Sequence, residues 1–185
     1  VTCPRCGSRK AKRHCPALNL DICPQCCGTE REETIACPLD CAYLRDARQH
    51  EKLVPMTAAE SPYPAEEITE RFLLLHQTQL ILLTNALFVA ASAEEYADAD
   101  VRTALDEMIA GAPAHPIAIA FSARCAEILA GLTPEARDRF WNPDTLKKLQ
   151  IFLLRLAVGR DNGRRRGRAF GAFLEDHFNR TMGGQ

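Results

Sequence analysis

Aromatic residues are scarce in this chain, at 6% of 185 residues with a single tryptophan. Strand-forming runs are also missing: after Glu66 no Val/Ile/Thr-rich alternating segment of strand length occurs, which argues against a sheet-based main domain. Phosphate loops, Gly-x-Ser-x-Gly, His-Glu-x-x-His and dinucleotide fingerprints are all absent. With no such motif, no enzyme activity is expected. No secretory leader pattern is visible, so a reducing, cytoplasmic setting is expected.

Residues 72–93 carry no charged side chain, a length that could span a bilayer. Six polar groups interrupt it (His76, Gln77, Thr78, Gln79, Thr84 and Asn85), and no basic cluster flanks one side. A central, nearly all-round buried helix of a bundle is expected, and no membrane partner. The same helix, taken as 72–91, is the candidate seam for a homodimer. His76 within it reads as a satisfied buried histidine.

Cysteine is abundant. Eight of the nine lie between Cys3 and Cys41, and Cys125 stands alone. Metal ligation suits a reducing compartment better than disulfides do. The chain then divides into a cysteine-rich module over 1–53, a proline-rich linker over 54–65 and an all-α domain over 66–185. The module has too few large apolar residues to fold without metal. The fold class expected is a small metal-bound zinc-finger module followed by a helical bundle of about six helices. The first helix is expected over 66–91, with a new start at the capping box Ser92-Ala-Glu-Glu95. An amphipathic helix over 100–110 should close at Gly111, and Pro116, Thr133-Pro134 and Asn142-Pro143 should open the next ones. Phe170, Phe173, Leu174 and Phe178 mark a last helix.

The cluster contains Cys3-Pro-Arg-Cys6-Gly7, His14-Cys15, Cys23-Pro-Gln-Cys26-Cys27-Gly28 and Cys37-Pro-Leu-Asp-Cys41. A two-residue gap lets a tight turn aim both sulfurs at one ion, with a left-handed glycine closing the turn. Cys37 and Cys41 would share one face of a helix if one starts there, with Pro38 in its first turn. Eight thiolates make two closed tetrahedra, which points to two structural zinc ions. An iron–sulfur cluster is the rival, but the tight ferredoxin run is missing. Two pairings are open. The interleaved one, favoured because it uses every cysteine once, gives Cys3, Cys6, Cys23 and Cys26 to one ion and Cys15, Cys27, Cys37 and Cys41 to the other. The sequential one uses Cys3, Cys6, His14 and Cys15, then Cys23, one of Cys26 and Cys27, Cys37 and Cys41. His14 and His50 are reserve ligands.

Two knuckles, an intermediate ligand and a final cysteine pair resemble cross-brace fingers of the MYND, zinc-HIT and B-box kind. The stretch Cys6-Gly-Ser-Arg-Lys-Ala-Lys-Arg-His-Cys15 is similar to the SEC-C motif, with Cys3-x-x-Cys6 in place of Cys-x-Cys. Both resemblances cover about the first quarter of the chain and imply a module that contacts proteins.

Net charge is −1, but its distribution is uneven. Residues 1–13 hold five bases and no acid, and residues 60–107 hold ten acids against two bases. Between 160 and 168 lie Arg160, Arg164, Arg165, Arg166 and Arg168. This run suits a phosphate backbone, as do Lys10, Lys12 and Arg13 at the finger tip. The competing accounts are cations offsetting the negative zinc sites, a loop docked onto the acidic 60–107 region, or a solvated loop. The run holds no aromatic residue for base stacking. Cys125 reads as a small core residue, and Trp141 as an inter-helix anchor. The function expected is a non-enzymatic adaptor binding a protein partner. The alternative is a factor that binds RNA or DNA, or associates with ribosomes.

Overall fold

The structure is a computed structural model that describes residues 1–51, 56–57, 59–92 and 96–183. Among them the chain forms one two-stranded hairpin and nine α-helices. The cysteine-rich module holds β1 (Arg13–Cys15), β2 (Leu20–Ile22), α1 (Pro24–Glu30) and α2 (Ala42–Gln49). The strands pair antiparallel with Arg13 opposite Ile22 and Cys15 opposite Leu20. Asn19 turns the chain between them at φ 50°, a left-handed conformation that asparagine tolerates. Pro24 opens α1 at a position where its missing N–H costs nothing, and the Cys23 sulfur accepts from Cys26 N–H as cap.

The remaining helices are α3 (Glu70–Leu75), α4 (Gln77–Ser92), α5 (Asp98–Ala110), α6 (Pro116–Ala130), α7 (Pro134–Phe140), α8 (Pro143–Gly159) and α9 (Ala169–Met182). The starts follow cap chemistry: Thr133 Oγ1 accepts from Ala136 N–H, and Asn142 Oδ1 accepts from Asp144 and Thr145 N–H. Gly111 ends α5 at φ 74°. Helix α4 packs against α6 and α9, and α5 against α6 and α8. Their shared core contains Leu83, Leu87, Leu105, Ile117, Phe121, Leu153, Phe170 and Leu174, all buried. Cys125 belongs to that core, and Trp141 packs against it.

Several expectations are corrected. The stretch expected as one helix over 66–91 is two helices. Thr69 starts α3 by accepting from Phe72 N–H, which places Glu66 and Glu67 outside it. The chain then leaves helical geometry at His76, whose ring packs on Phe72 at 4.6 Å, with no proline or glycine to announce the break. His76 is half-buried and its Nδ1 has no hydrogen-bond partner among the described residues, so it is not the satisfied core histidine expected. Helix α4 is central, whereas Leu74 and Leu75 on α3 are 66% and 70% exposed. No helix among the described residues is long and apolar enough to cross a membrane. Ser92, expected to open a new helix, is the last residue of α4, its hydroxyl donating to the Phe88 carbonyl; residues 93–95 of that capping box and the module boundary at residue 53 lie outside the described residues, as do 54, 55 and 58 of the linker. The segment that follows is held to the bundle: the Arg155 guanidinium donates to the carbonyls of Pro62, Tyr63 and Glu66.

Candidate metal centre

The first knuckle turns as its sequence predicts. Gly7 sits at φ 64°, and its N–H donates to the Cys3 carbonyl at 2.8 Å, folding Cys3 and Cys6 toward each other. The second pair is built differently. Cys23 caps α1 and Cys26 lies in its first turn, so helix geometry closes the gap. Gly28 is inside α1 and needs no left-handed conformation, a correction to the expected second knuckle.

These two elements bring Cys3, Cys6, Cys23 and Cys26 together, with all four sulfurs within 4.8 Å of one another and Cys6 and Cys23 4.0 Å apart. A tetrahedral ion with metal–sulfur bonds of about 2.3 Å needs sulfurs about 3.8 Å apart, so the cage fits a metal of zinc's size. Cys3 and Cys23 are fully buried. The Ser8 hydroxyl and the N–H groups of Ser8 and Arg9 pull the Cys6 thiol down to about 5. Sharing a hydrogen with Cys23, together with burial, pushes Cys26 up to about 12. A divalent ion held here would bind all four sulfurs as thiolates. The Cys23 and Cys6 sulfurs favour the charged form of Arg9, and Arg5, whose Nε donates to Glu30 at 2.8 Å, adds a second cation nearby.

Cys15, Cys27, Cys37 and Cys41 line one small cavity of about 10 Å³, walled by Ile22, Ile35 and Leu44. Two cations face it: Arg13 Nη1 is 3.7 Å from the Cys27 sulfur and Arg31 Nη2 is 3.9 Å. Burial pushes the Cys37 thiol up, and a hydrogen bond from the Glu32 N–H opposes it. The expected helix across Cys37 and Cys41 does not form. Cys41 N–H closes a turn onto the Pro38 carbonyl, and α2 starts only at Ala42 with Cys41 as its cap residue. The two cysteines are thus linked by a turn instead of a helix face, and among the described residues only Cys3, Cys6, Cys23 and Cys26 form a close group of possible ligands. His14 lies exposed on β1, 3.3 Å from Asp21 across the hairpin, and His50 is exposed at the end of α2.

Sequence reasoning missed Glu32. It is fully buried and holds φ at 54°, a conformation that is costly for a side-chain-bearing residue. Its Oε1 accepts from Arg48 Nη2 at 2.9 Å and Arg168 N–H at 2.8 Å, and its Oε2 accepts from Asn162 Nδ2 at 3.0 Å. Its carbonyl accepts from Arg166 N–H at 2.7 Å. One carboxylate from the module thus clamps the loop between α8 and α9. A second buried acid, Asp98 at the start of α5, caps α9 by accepting from Phe170 and Gly171 N–H, while its own N–H reaches the Gly167 carbonyl. Burial raises the Asp98 carboxyl to about 6, against those two donors.

The arginine run is divided accordingly. Its docking is on the cysteine-rich module and not, as expected, of arginines on the acids of 60–107: the contacts to that stretch are Asp161 with Arg102 and backbone N–H groups with Asp98. Arg160 is stacked over Phe173 at 3.9 Å, and Arg164 donates to the Arg31 carbonyl. Arg165 and Arg166 are exposed, as are Lys10 and Lys12, whereas Arg13 lies over Tyr43 at 4.8 Å and beside Cys27. The sequence does not single out Glu32 from its acidic neighbours Glu30 and Glu33, because its partners lie in a loop about 130 residues later. Compared with protein-family models, curated proteins and solved structures, the chain matches none.

Proposed function

We propose that this protein is a non-enzymatic adaptor whose N-terminal module binds two structural zinc ions and, with the helical domain, engages a protein partner. The buried four-sulfur cage carries this reading. Among the described residues no histidine or carboxylate joins those sulfurs, so an ion held there would have four protein ligands and no position for water or substrate. The second ion is assigned to Cys15, Cys27, Cys37 and Cys41 because these share one cavity and because Arg13 and Arg31 would offset a site of charge −2. This is the interleaved pairing of the cross-brace fingers that the cysteine pattern resembles.

A partner surface is supported by apolar exposure. Between α4, α6 and α9 runs a groove of about 450 Å³ lined by Leu82, Val89, Ile128, Phe178 and Met182, and Leu74 and Leu75 stand out on α3. A homodimer through the 72–91 region is the simplest use of that surface. Elemental analysis with light scattering tests both parts. About two zinc per chain and a dimer that Leu74→Ser/Leu75→Ser dissociates are expected. Iron, or one metal per chain, would remove the two-zinc assignment. Folded zinc-site variants that retain every co-purifying partner would remove the adaptor role of the module.

A further inference from the structure

At the junction of module and bundle opens a cleft of about 420 Å³, a volume in the range of small-molecule sites. Arg165, Arg166 and Arg168 line one side, and Tyr96 and Asp100 line the other. No acid pairs with any of the three guanidinium groups among the described residues, although their backbones are tied down. Arg166 and Arg168 donate backbone N–H groups to Glu32, so the loop is fixed while its side chains remain available. A fixed loop that presents three guanidinium groups, without an acidic partner among the described residues, to a concave space is organised for an anion, and guanidinium forks match phosphate oxygens bidentately.

Asp100 restricts which anion can enter. Its Oδ2 accepts from Ala97 N–H at 2.9 Å and its Oδ1 lies 3.8 Å from His115 Nε2, leaving acceptor capacity toward the cleft. A second negative charge on the ligand would meet this carboxylate and be repelled, whereas a hydroxyl could donate to it. We propose that the cleft between the cysteine-rich module and α5 binds a phosphate monoester bearing hydroxyl groups, of the sugar-phosphate or nucleoside-monophosphate class. Arg165, Arg166 and Arg168 take the phosphate and Asp100 takes a hydroxyl. A continuous polyanion such as RNA fits less well, because charges beyond the first approach Asp100.

Calorimetric titration of the zinc-loaded full chain tests this with inorganic phosphate, ribose 5-phosphate, adenosine 5′-monophosphate and an RNA oligonucleotide. Saturable binding of at least one ester, tighter than inorganic phosphate, is expected. Equal affinity for the two esters assigns the sugar phosphate as the group recognised, and tighter binding of the nucleotide assigns the nucleoside class. Arg165→Ala/Arg166→Ala should weaken the ester by about tenfold or more while leaving zinc content and the thermal transition unchanged, since only exposed side chains are removed. Asp100→Asn should weaken the ester and strengthen RNA. The proposal is overturned if neither ester binds saturably, if binding survives the double arginine variant, or if RNA binds more tightly than both esters, which would make the arginines a nucleic-acid contact.

Discussion

The two regions solve the same folding problem with different means. The bundle buries a continuous cluster of leucines, isoleucines and phenylalanines across α4, α5, α6, α8 and α9. The module's buried cluster is mostly sulfur: Cys3, Cys15, Cys23, Cys26 and Cys37, with only Ile22, Ile35 and Leu44 as large aliphatic residues. Three such side chains stabilise a fold by a few kcal/mol at roughly 1.5–3 kcal/mol each, far less than the conformational entropy of some fifty ordered residues. The bundle has the apolar core to hold itself together, whereas the module, on the proposed reading, depends on bound metal. Removing metal should produce the largest effect. Structural zinc contributes on the order of 10 kcal/mol or more. A strong chelator should abolish the module's protection from hydrogen exchange and leave the bundle amides protected. Loss of protection in both regions together would mean that the bundle also depends on the metal.

The converse experiment acts on the bundle alone. Phe121 is fully buried among α4, α5 and α6, and Phe121→Ala should cost about 3–5 kcal/mol. The thermal transition of the bundle should fall while zinc content stays at the wild-type level. Zinc loss in step with the bundle would show one cooperative unit in place of two.

Glu32 decides how far the two regions are separable. It is the residue whose carboxylate joins α2, through Arg48, to the loop before α9. Glu32→Ala leaves Arg48 without its partner and strips acceptors from Asn162 and the Arg168 N–H, a change worth about 3 kcal/mol. The transitions of the module and the bundle should move further apart as the two lose their tie, whereas an unchanged separation would show that other contacts suffice. The Arg165→Ala/Arg166→Ala variant should leave both transitions untouched.

Much of this contrast was legible in sequence. The cysteine spacing marks the module, and Thr133-Pro134, Asn142-Pro143 and Gly111 place helix ends where they occur, because caps are local chemistry. What escaped depends on long-range placement. The β1–β2 hairpin has only three-residue strands, too short for a period-two pattern. Cys37 and Cys41 have helical spacing, but the turn on Pro38 delays α2 to Ala42. The break at His76 carries no proline or glycine. The arginine run was recognisable as basic, but its division into packed Arg160 and Arg164 and exposed Arg165 and Arg166 depends on Glu32, about 130 residues earlier in the chain.

The smallest effect expected at the junction concerns Asp98, the second acid beneath the loop. Its carboxyl is raised to about 6 from an ordinary value near 3.8 by burial, with the Glu32 charge adding to the rise. Between those two values the folded protein binds more protons than the unfolded chain, so this group's contribution to stability falls as pH rises from about 4 to about 6 and is constant above. The full difference is at most about 3 kcal/mol. Asp98→Asn removes the titration and keeps one acceptor for the start of α9. The variant's stability relative to wild type should therefore be greatest above pH 6 and decline as pH falls from about 6 to about 4. Proton-driven loss of metal affects both proteins and cancels in that difference. Glu32→Gln, which removes the neighbouring charge, should move the window toward lower pH. A difference that is flat across the window would mean that the Asp98 carboxyl titrates alike in the folded and unfolded chain. The cap on α9 would then act by hydrogen bonding alone.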